Sequence, residues 1–220
     1  MTRDVKFNHE ALPPLATLER EWRTLEAVAR PSFFTSWQWI GTLLAAMPAA
    51  DRPGLLHGAA GGETVGLALL GAGTTRRRHG LVGSRALYLN ETGDPRFDAL
   101  TIEHNGILAP AGREAPVFDA VVEWFADLGD VADELYISGS ALRLSDPVVE
   151  RRGLGQSEIT LPSYSLDLGL LSSSAGELHP VLSANARQQL RRAFRHFERY
   201  GPLQLSTAAT TAEALAFFRS

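Results

Sequence analysis

The chain has 220 residues, a formal net charge of −4 at pH 7 and 45% hydrophobic residues, values typical of a folded globular protein. It contains no cysteine, which excludes disulfides, thiolate nucleophiles and zinc–thiolate sites. The acidic balance argues against a general nucleic-acid binder, the opening residues lack the apolar core of a secretory signal, and no apolar run is long enough to span a bilayer. We therefore expect a cytoplasmic protein.

The first part of the chain predicts two helices followed by a hairpin. From Leu12 to Val28, leucine and tryptophan recur every three or four residues after Pro13–Pro14, which is typical of an amphipathic helix with proline in its first turn. A second helix, SWQWIGTLLAAM, contains Trp37 and Trp39, which lie two apart and so point in different directions. Core packing accounts for at least one of them. Two apolar runs joined by Gly61–Gly62 then predict a β-hairpin.

The middle of the chain predicts short strands mixed with helices. A strand at 86–90 precedes the polar loop ETGDPRFD, and TIEHNGILA is a second strand candidate, interrupted by the turn dipeptide Asn105–Gly106. A helix closed by Gly129 precedes the strand ELYISG, and a short helix at Asp146–Arg152 precedes the strand candidate EITLPSYSLDLG. Because strands and helices do not alternate regularly, we expect a mixed α/β (α+β) fold with a central mixed sheet and flanking helices.

The most distinctive segment is LSANARQQLRRAFRHFERYGP at residues 182–202, which holds five arginines and one acidic residue. Four of these arginines recur at a spacing of four, which stacks side chains along a helix: Arg187, Arg191, Arg195 and Arg199. A neighbouring stripe, which we expect to pack on a core, is apolar: Leu182, Ala186, Leu190, Phe194 and Phe197. Ser183 is the predicted N-cap, and Gly201 followed by Pro202 predicts the end of the helix. A strand candidate, PLQLSTA, and a helix, TAEALAFFRS, follow.

Candidate catalytic residues are concentrated at 88–106, YLNETGDPRFDALTIEHNG, where carboxylates and a histidine lie beside predicted strand ends and can act as general bases. Glu103 is the first candidate, because Ile102 and Ile107 indicate partly buried surroundings that would raise its pKa. Asp98 is the second. The alternative is that this segment is simply a solvated turn. No paired-histidine spacing accompanies the carboxylates, so we expect no metal site.

Several of these segments resemble the GNAT-type acyltransferases of the CelD-like, cellulose-biosynthesis group of bacterial acetyltransferases. The segments that carry the resemblance occur in the expected order: LEREWRTLEAV, PSFFTSWQWIGTLL, GGETVGLALL, NETGDPRFDALTIEHNGIL and LSANARQQLRRAFRHFERYGPLQL. The pattern Leu-Ser-x-Asn-x-Arg-x-x-Leu-Arg-Arg at 182–192 is the most recognisable element. The resemblance implies a GNAT-like acyl-CoA N-acyltransferase fold and, as in the Fem-type transferases, a tandem of two such halves.

On this resemblance, residues 1–180 would form an N-terminal GNAT-like domain, 181–201 an arginine-rich connecting helix, and 202–220 the start of a truncated second GNAT-like domain. The implied reaction is transfer of an acetyl or other acyl group from acyl-CoA, without a metal, to an amine or hydroxyl of a glycan or related small acceptor. Arg187, Arg191 and Arg195 would face the domain junction or a CoA phosphate. Glu103 or Asp98 would face the acceptor cleft.

Three alternatives remain open from the sequence. This half of a tandem protein could bind acceptor or support the second domain without being catalytic. The enzyme could be an aminoacyl-transferase of the Fem type, with aminoacyl-tRNA rather than acetyl-CoA as donor. Finally, five arginines on one helix could contact nucleic acid or an anionic membrane surface, which would make binding strongly dependent on salt.

Overall fold

The computed structural model describes residues 5–77, 81–99, 102–140, 146–160, 162, 167, 169, 182–204 and 207–219. The chain forms two compact units, Met1–Glu158 and Ile159–Ser220. Half of the strand candidate EITLPSYSLDLG lies outside the described residues. Its described residues, 158–160, 162, 167 and 169, are not in a strand.

The first unit is built on a five-stranded sheet in the order β1-β2-β3-β4-β5. Its strands are β1 Lys6–Glu10, β2 Gly54–Ala60, β3 Glu63–Arg77, β4 Val82–Leu89 and β5 Glu134–Tyr136. The described helices of this unit are α1 Leu15–Glu26, α2 Trp37–Ala46, α3 Glu114–Asp127 and α4 Asp146–Arg152. The first four strands pair antiparallel, whereas β4 and β5 pair parallel. The mixed α/β class with a central mixed sheet and flanking helices is therefore confirmed.

The β2–β3 hairpin turns where the sequence predicts. Gly61 and Gly62 have φ values of 63° and 84°, and the flanking residues Ala60 and Glu63 are paired. A two-residue hairpin turn of this kind needs positive φ at both positions, which glycine adopts without steric cost.

Helices cover both faces of the sheet, so neighbouring strand residues serve two separate cores. Leu56, with Leu70 and Leu89, packs in a cluster that includes Val117 and Phe118 of α3. Leu55 points the other way and packs in a second cluster, whose buried helical members come from α1 and α2: Leu18, Trp22, Leu25, Trp37, Ile40 and Leu44. Alternation of side chains across a strand explains this division.

The sequence misses one element of this unit and mispredicts another. The missed element is the edge strand β1, which precedes Leu12, where the first predicted element begins. The candidate TIEHNGILA is not a regular strand. Its described residues form only isolated bridges, Leu108 to Leu67 and Asn105 to Ser140. The extended run is broken at Asn105–Gly106, where the Asn105 side chain bonds to Asn90 and to the Leu89 carbonyl.

In the second unit, the arginine-rich helix forms as predicted. It is α5, Ala184–Phe197, and the Ser183 hydroxyl accepts a hydrogen bond from the Ala186 backbone N–H at 3.2 Å. A short 3-10 turn, Glu198–Tyr200, leads to Gly201, and α6 spans Thr211–Arg219. No side chain of α5 is buried against the described residues, so the expected core packing of its apolar stripe is not found.

The three-part division at 1–180, 181–201 and 202–220 stays a prediction. The strand candidate PLQLSTA is not borne out at 202–204, which are not in a strand, and its residues 205–206 lie outside the described part of the chain. No helix among the described residues is both long and apolar enough to cross a bilayer.

The parallel β4–β5 pair carries an ion pair whose contribution should disappear in acid. The Arg85 guanidinium donates to both oxygens of Asp133, and the Arg85 backbone N–H donates to Oδ2 at 2.8 Å. These bonds lower the pKa of Asp133 from 3.8 to about 2. A carboxylate whose pKa is lower in the folded state stabilises the fold above pH 3.8, and this stabilisation is lost as pH falls through 2.

We therefore expect Asp133→Asn to unfold at lower urea concentration than wild type at neutral pH, with the difference shrinking as pH falls from 4 toward 2. Urea titrations followed by circular dichroism across that range measure it. Glu10→Gln, an exposed substitution on β1, is the control and should show no such convergence. A difference that stayed constant over this range would contradict the assignment.

Candidate functional site

The candidate site lies at the carboxyl ends of the two parallel strands. Tyr88 of β4 is paired with Tyr136 of β5, and their rings stack with centroids 5.1 Å apart and planes 15° apart. Beyond these tyrosines the described chain continues into loop segments, 90–99 and 102–106 after β4 and 137–140 after β5. Ligands bind preferentially outside the carboxyl ends of parallel strands, so polar groups converging here are the first candidates for a site.

A buried pair of amide side chains fixes the exit from β4. Asn90 has a φ of 56°, a left-handed conformation that asparagine tolerates better than most residues. Its Oδ1 accepts from the Leu69 backbone N–H at 2.8 Å, and its Nδ2 donates to Asn105 Oδ1 at 2.8 Å. Asn105 Nδ2 in turn donates to the Leu89 carbonyl at 2.9 Å. Both residues are buried and fully used in holding the backbone, which indicates a structural role.

This amide pair explains why the segment after Asn105 is not a regular strand. Leu108 exchanges two backbone hydrogen bonds with Leu67 of β3, each 3.0 Å long, and so lies beside β3 beyond the point where β4 ends. The Asn105 backbone N–H donates to the Gly139 carbonyl at 3.0 Å. The loops after β4 and β5 are thereby tied together at one end of the sheet.

Glu91 is the carboxylate whose surroundings best suit proton transfer. It follows the buried Asn90 directly and is partly buried. Burial raises the pKa of Glu91, and the nearby Asp98 carboxylate adds to the rise, whereas a hydrogen bond from the Ser138 hydroxyl to Oε2 at 2.8 Å opposes it. A raised pKa makes a glutamate carboxylate a stronger proton acceptor, as a general base requires.

Tyr88 adds a phenol to this end of the sheet. Burial raises the pKa of Tyr88, and Tyr136, Glu134, Asp98 and Glu91 raise it further in that order. Tyr88 therefore remains protonated around neutral pH and can donate a hydrogen bond. The carboxylates of Glu91, Asp98 and Glu134 and the phenol of Tyr136 are thus all close enough to Tyr88 to affect its pKa.

The loop that carries Glu91 passes very close to the sheet. A Cβ at Gly71 would lie 2.3 Å from the Glu91 carbonyl oxygen, and one at Gly93 would lie 2.7 Å from the Tyr88 ring. Such distances exclude any larger side chain without a shift of the backbone or ring. The two glycines therefore allow the loop to fold down against β3 and β4, which places Glu91 near Tyr88 and Asp98.

The structure gives the two catalytic candidates from the sequence different surroundings. Asp98 accepts hydrogen bonds from the backbone N–H and the hydroxyl of Thr92 and from the Gly93 N–H, at 2.8, 2.9 and 2.7 Å. That geometry favours an anchoring role for Asp98 in its loop. Glu103 is exposed, so the expected partial burial of Glu103 is wrong. A catalytic role for either residue stays a prediction.

The predicted cofactor-binding arginines belong to the second unit. Arg191 and Arg195 are exposed, and Arg187 is partly exposed. A shallow concavity of about 400 Å³ on α5 and the turn after it is lined by a mostly cationic set: Gln188, Arg192, Arg195, His196 and Arg199. Contact of these arginines with a cofactor stays a prediction. Among the described residues, no group of three or more His, Cys, Asp or Glu side chains is placed to hold a metal ion.

No protein-family model and no curated protein sequence matches this chain. One solved structure that aligns with it is the aminoglycoside N-acetyltransferase AAC(6')-Iy in complex with CoA. The alignment covers 75% of this chain and 98% of that chain, at 17% identity and a TM-score of 0.35. This degree of likeness is too low to assign an activity.

The sequence alone does not single out Glu91 or its partner Ser138. Glu91 lies in the polar segment at 88–106, directly after a predicted strand, and this position is the available signal. Ser138, however, is 47 residues away in sequence. Glu91 and Ser138 come together only because β4 pairs with β5, and no local sequence pattern predicts that pairing.

The buried amide pair gives a direct stability prediction. Asn105→Ala removes the buried acceptor of one Asn90 Nδ2 hydrogen bond and the side-chain donor to the Leu89 carbonyl, so we expect a loss of roughly 2–4 kcal/mol in the free energy of unfolding. Chemical denaturation measures this loss. Asn8→Ala, at an exposed asparagine of β1, should cost under about 0.5 kcal/mol. Equal costs for the two variants would show that the amide pair is not needed.

Proposed function

We propose that this chain is part of a GNAT-type acyltransferase that moves an acyl group from acyl-CoA to an amine or hydroxyl. The observation that carries the proposal is Glu91, partly buried at the carboxyl end of β4, with a raised pKa and a hydrogen bond from Ser138. The ordered motifs that resemble the CelD-like group support it. So does the observed mixed sheet with flanking helices, which is the architecture that the resemblance implies.

In the proposed reaction, the Glu91 carboxylate accepts the proton of the acceptor amine or hydroxyl as its nitrogen or oxygen attacks the thioester carbonyl. The new C–N or C–O bond forms, the C–S bond breaks, and CoA leaves as a thiolate that takes up a proton. Ser138 keeps one Glu91 oxygen in place and leaves the other for the acceptor. Protonated Tyr88 supplies a hydrogen-bond donor beside the base.

The finer assignment rests on the resemblance. We infer an acetyl-CoA or other acyl-CoA donor, a glycan or related small acceptor, and a place in bacterial exopolysaccharide or cellulose biosynthesis. Residues 1–180, 181–201 and 202–220 would be the first GNAT-like domain, the connecting helix and the start of the second. Asp98 would anchor the loop that carries Glu91, with Glu103 exposed toward the acceptor. The cationic face that includes Arg187, Arg191 and Arg195 would bind the CoA phosphates.

The test measures CoA released from acetyl-CoA in the presence of an acceptor panel of amines and saccharides. Because the chain has no cysteine, a thiol reagent reports released CoA without a background from these residues. We expect Glu91→Gln to lower kcat by about 100-fold or more, the usual contribution of a general base. The rise of wild-type kcat with pH, through the raised pKa of Glu91, should also vanish in this variant.

Glu63→Gln, at an exposed glutamate beside the β2–β3 turn, is the matched control and should keep wild-type rates. Glu103→Gln tests the other candidate base in the same assay. No release of CoA by folded protein with any acceptor would count against the acyltransferase. Transfer from aminoacyl-tRNA instead of acetyl-CoA would support the Fem-type alternative.

Binding of the donor can be tested separately by calorimetry. Replacing Arg187, Arg191 and Arg195 with glutamine should weaken acetyl-CoA binding about tenfold or more, because three cations near phosphates are removed. The charge-matched control replaces three exposed arginines of the first unit: Arg20, Arg30 and Arg76. Equal weakening in the two triple variants would indicate a general charge effect and would contradict a site on α5. Unchanged binding in both would contradict it as well.

A further inference from the structure

Three polar side chains that have no part in the reaction described above converge between α1 and the β2–β3 hairpin. His57 Nε2 lies 3.0 Å from Glu21 Oε1 and 3.1 Å from Thr64 Oγ1, and the Thr64 hydroxyl donates to Glu21 Oε1 at 2.7 Å. Glu21 belongs to α1, His57 to β2 and Thr64 to β3, and all three are partly buried. We call these residues the His57 cluster.

A break in strand register brings Thr64 into the cluster. Along β3, Leu67 packs with α1 and α2 whereas Ala68 packs with α3, as the alternation of a strand requires. Thr64, four residues before Ala68, should therefore face α3. The register of β2 with β3 shifts by one residue after Gly58, however, and Thr64 lies on the side of His57. A bulge of this kind redirects a side chain at the expense of regular pairing, which favours a function for the redirected residue.

The cluster contains few hydrogens for its three close contacts. The Thr64 hydroxyl carries one hydrogen, His57 Nε2 carries at most one, and the Glu21 carboxylate carries none. In the tautomer with the proton on Nδ1, a single hydrogen serves three atoms that all bear lone pairs. A cation bound to these atoms interacts favourably with all three lone pairs at once. Hydrogen bonds alone leave at least one contact shared or unfilled.

The three atoms also have the spacing of ligands around one metal ion. Nitrogen and oxygen ligands lie about 2.1 Å from a small divalent ion, so two ligands at right angles around it are about 3.0 Å apart. The observed separations of 2.7, 3.0 and 3.1 Å match that spacing. We propose that Glu21, His57 and Thr64 bind a divalent transition-metal ion such as Zn²⁺, which links α1 to the β2–β3 hairpin.

The donor set defines the class of ion and the character of the site. An imidazole nitrogen favours zinc or nickel over magnesium and calcium, which prefer oxygen ligands alone. The side chains of His57 and Glu21 are 22% and 31% exposed, so an ion reaches them from solvent and water completes its coordination. The site has two titratable ligands and a hydroxyl, fewer than the four ligands of a closed structural zinc site. The ion is therefore expected to exchange readily.

This inference is independent of the proposed function. The metal ion takes no part in the proposed acyl transfer, in which Glu91 is the base. Its binding is measured without acyl-CoA or acceptor, so either hypothesis can fail while the other holds.

The experiment titrates Zn²⁺ into the full chain, without an added histidine tag, by calorimetry at about pH 7.5. The chain has no cysteine, so no thiolate competes for the ion. We expect one saturable site that magnesium does not occupy, with affinity falling as pH drops below about 6.5 because protons compete for the imidazole. Nitrogen-15 NMR of the histidine rings should show the largest shift at His57 Nε2. Zinc should also raise the midpoint of thermal unfolding, because the complete site exists only in the folded chain.

Three variants test the three ligands. His57→Ala should abolish binding at this site. Glu21→Gln keeps a hydrogen-bond acceptor but removes the charge, so it should weaken binding about tenfold or more and leave the metal-free thermal midpoint close to that of wild type. Thr64→Val, which preserves the shape of the side chain, should weaken binding about threefold. Circular dichroism of each variant confirms that it is folded.

His104→Ala is the matched control, because His104 is an exposed histidine next to an exposed glutamate, Glu103. It should bind zinc as wild type does. No saturable binding by wild type below about 1 mM zinc would overturn the proposal. Wild-type affinity in folded Glu21→Gln, or equal weakening in His57→Ala and His104→Ala, would overturn it as well. If His57→Ala does not fold, the Glu21→Gln titration and the NMR shift at His57 decide the question.

Discussion

The hydrogen bonds that the buried side chains of Asn90 and Asn105 make, to each other and to the backbone, are the constraint on which the candidate site depends. They allow β4 to leave the sheet after Leu89 while a later segment of the chain takes the place beside β3. A strand that ends inside a sheet leaves backbone donors and acceptors unpaired, and such groups are costly when buried. The two amides pair with these groups. The chain can then turn sharply at Asn90 and present Glu91 at the surface of the sheet.

The pKa of Glu91 is consequently subject to opposing interactions. Burial and the Asp98 carboxylate favour its protonated form, whereas the Ser138 hydroxyl favours the carboxylate. Because Asp98 is itself pinned by Thr92 and Gly93, its charge stays at a fixed position relative to Glu91. A carboxylate held in one position shifts the pKa of its neighbour by a more constant amount than a mobile carboxylate would. The loop thus both holds the proposed base and adjusts its proton affinity.

The sequence predicts the elements whose signals are local. The glycine pair at 61–62 predicts the first hairpin, Ser183 predicts the start of α5, and the leucine–tryptophan period predicts α1. It fails where partners lie far apart in the chain. The strand β1 is short and mostly polar, so its pairing with β2 carries no periodic signal. Glu103 follows Ile102, which is buried, but the chain turns at 103–104 and leaves Glu103 in solvent.

The contrast between local and long-range signals also applies to the carboxylates of the candidate site. Carboxylates are frequent at 91–103, and composition alone does not separate the one that anchors a loop from the one that can exchange a proton. Asp98 has three donors on its two oxygens, so protonating it would break hydrogen bonds that shape the loop. Among the described residues, Glu91 receives one side-chain donor, Ser138 just after β5, and that bond uses only one of its two oxygens. Because a base must accept a proton without losing the fold around it, the carboxylate with fewer structural bonds is the better candidate.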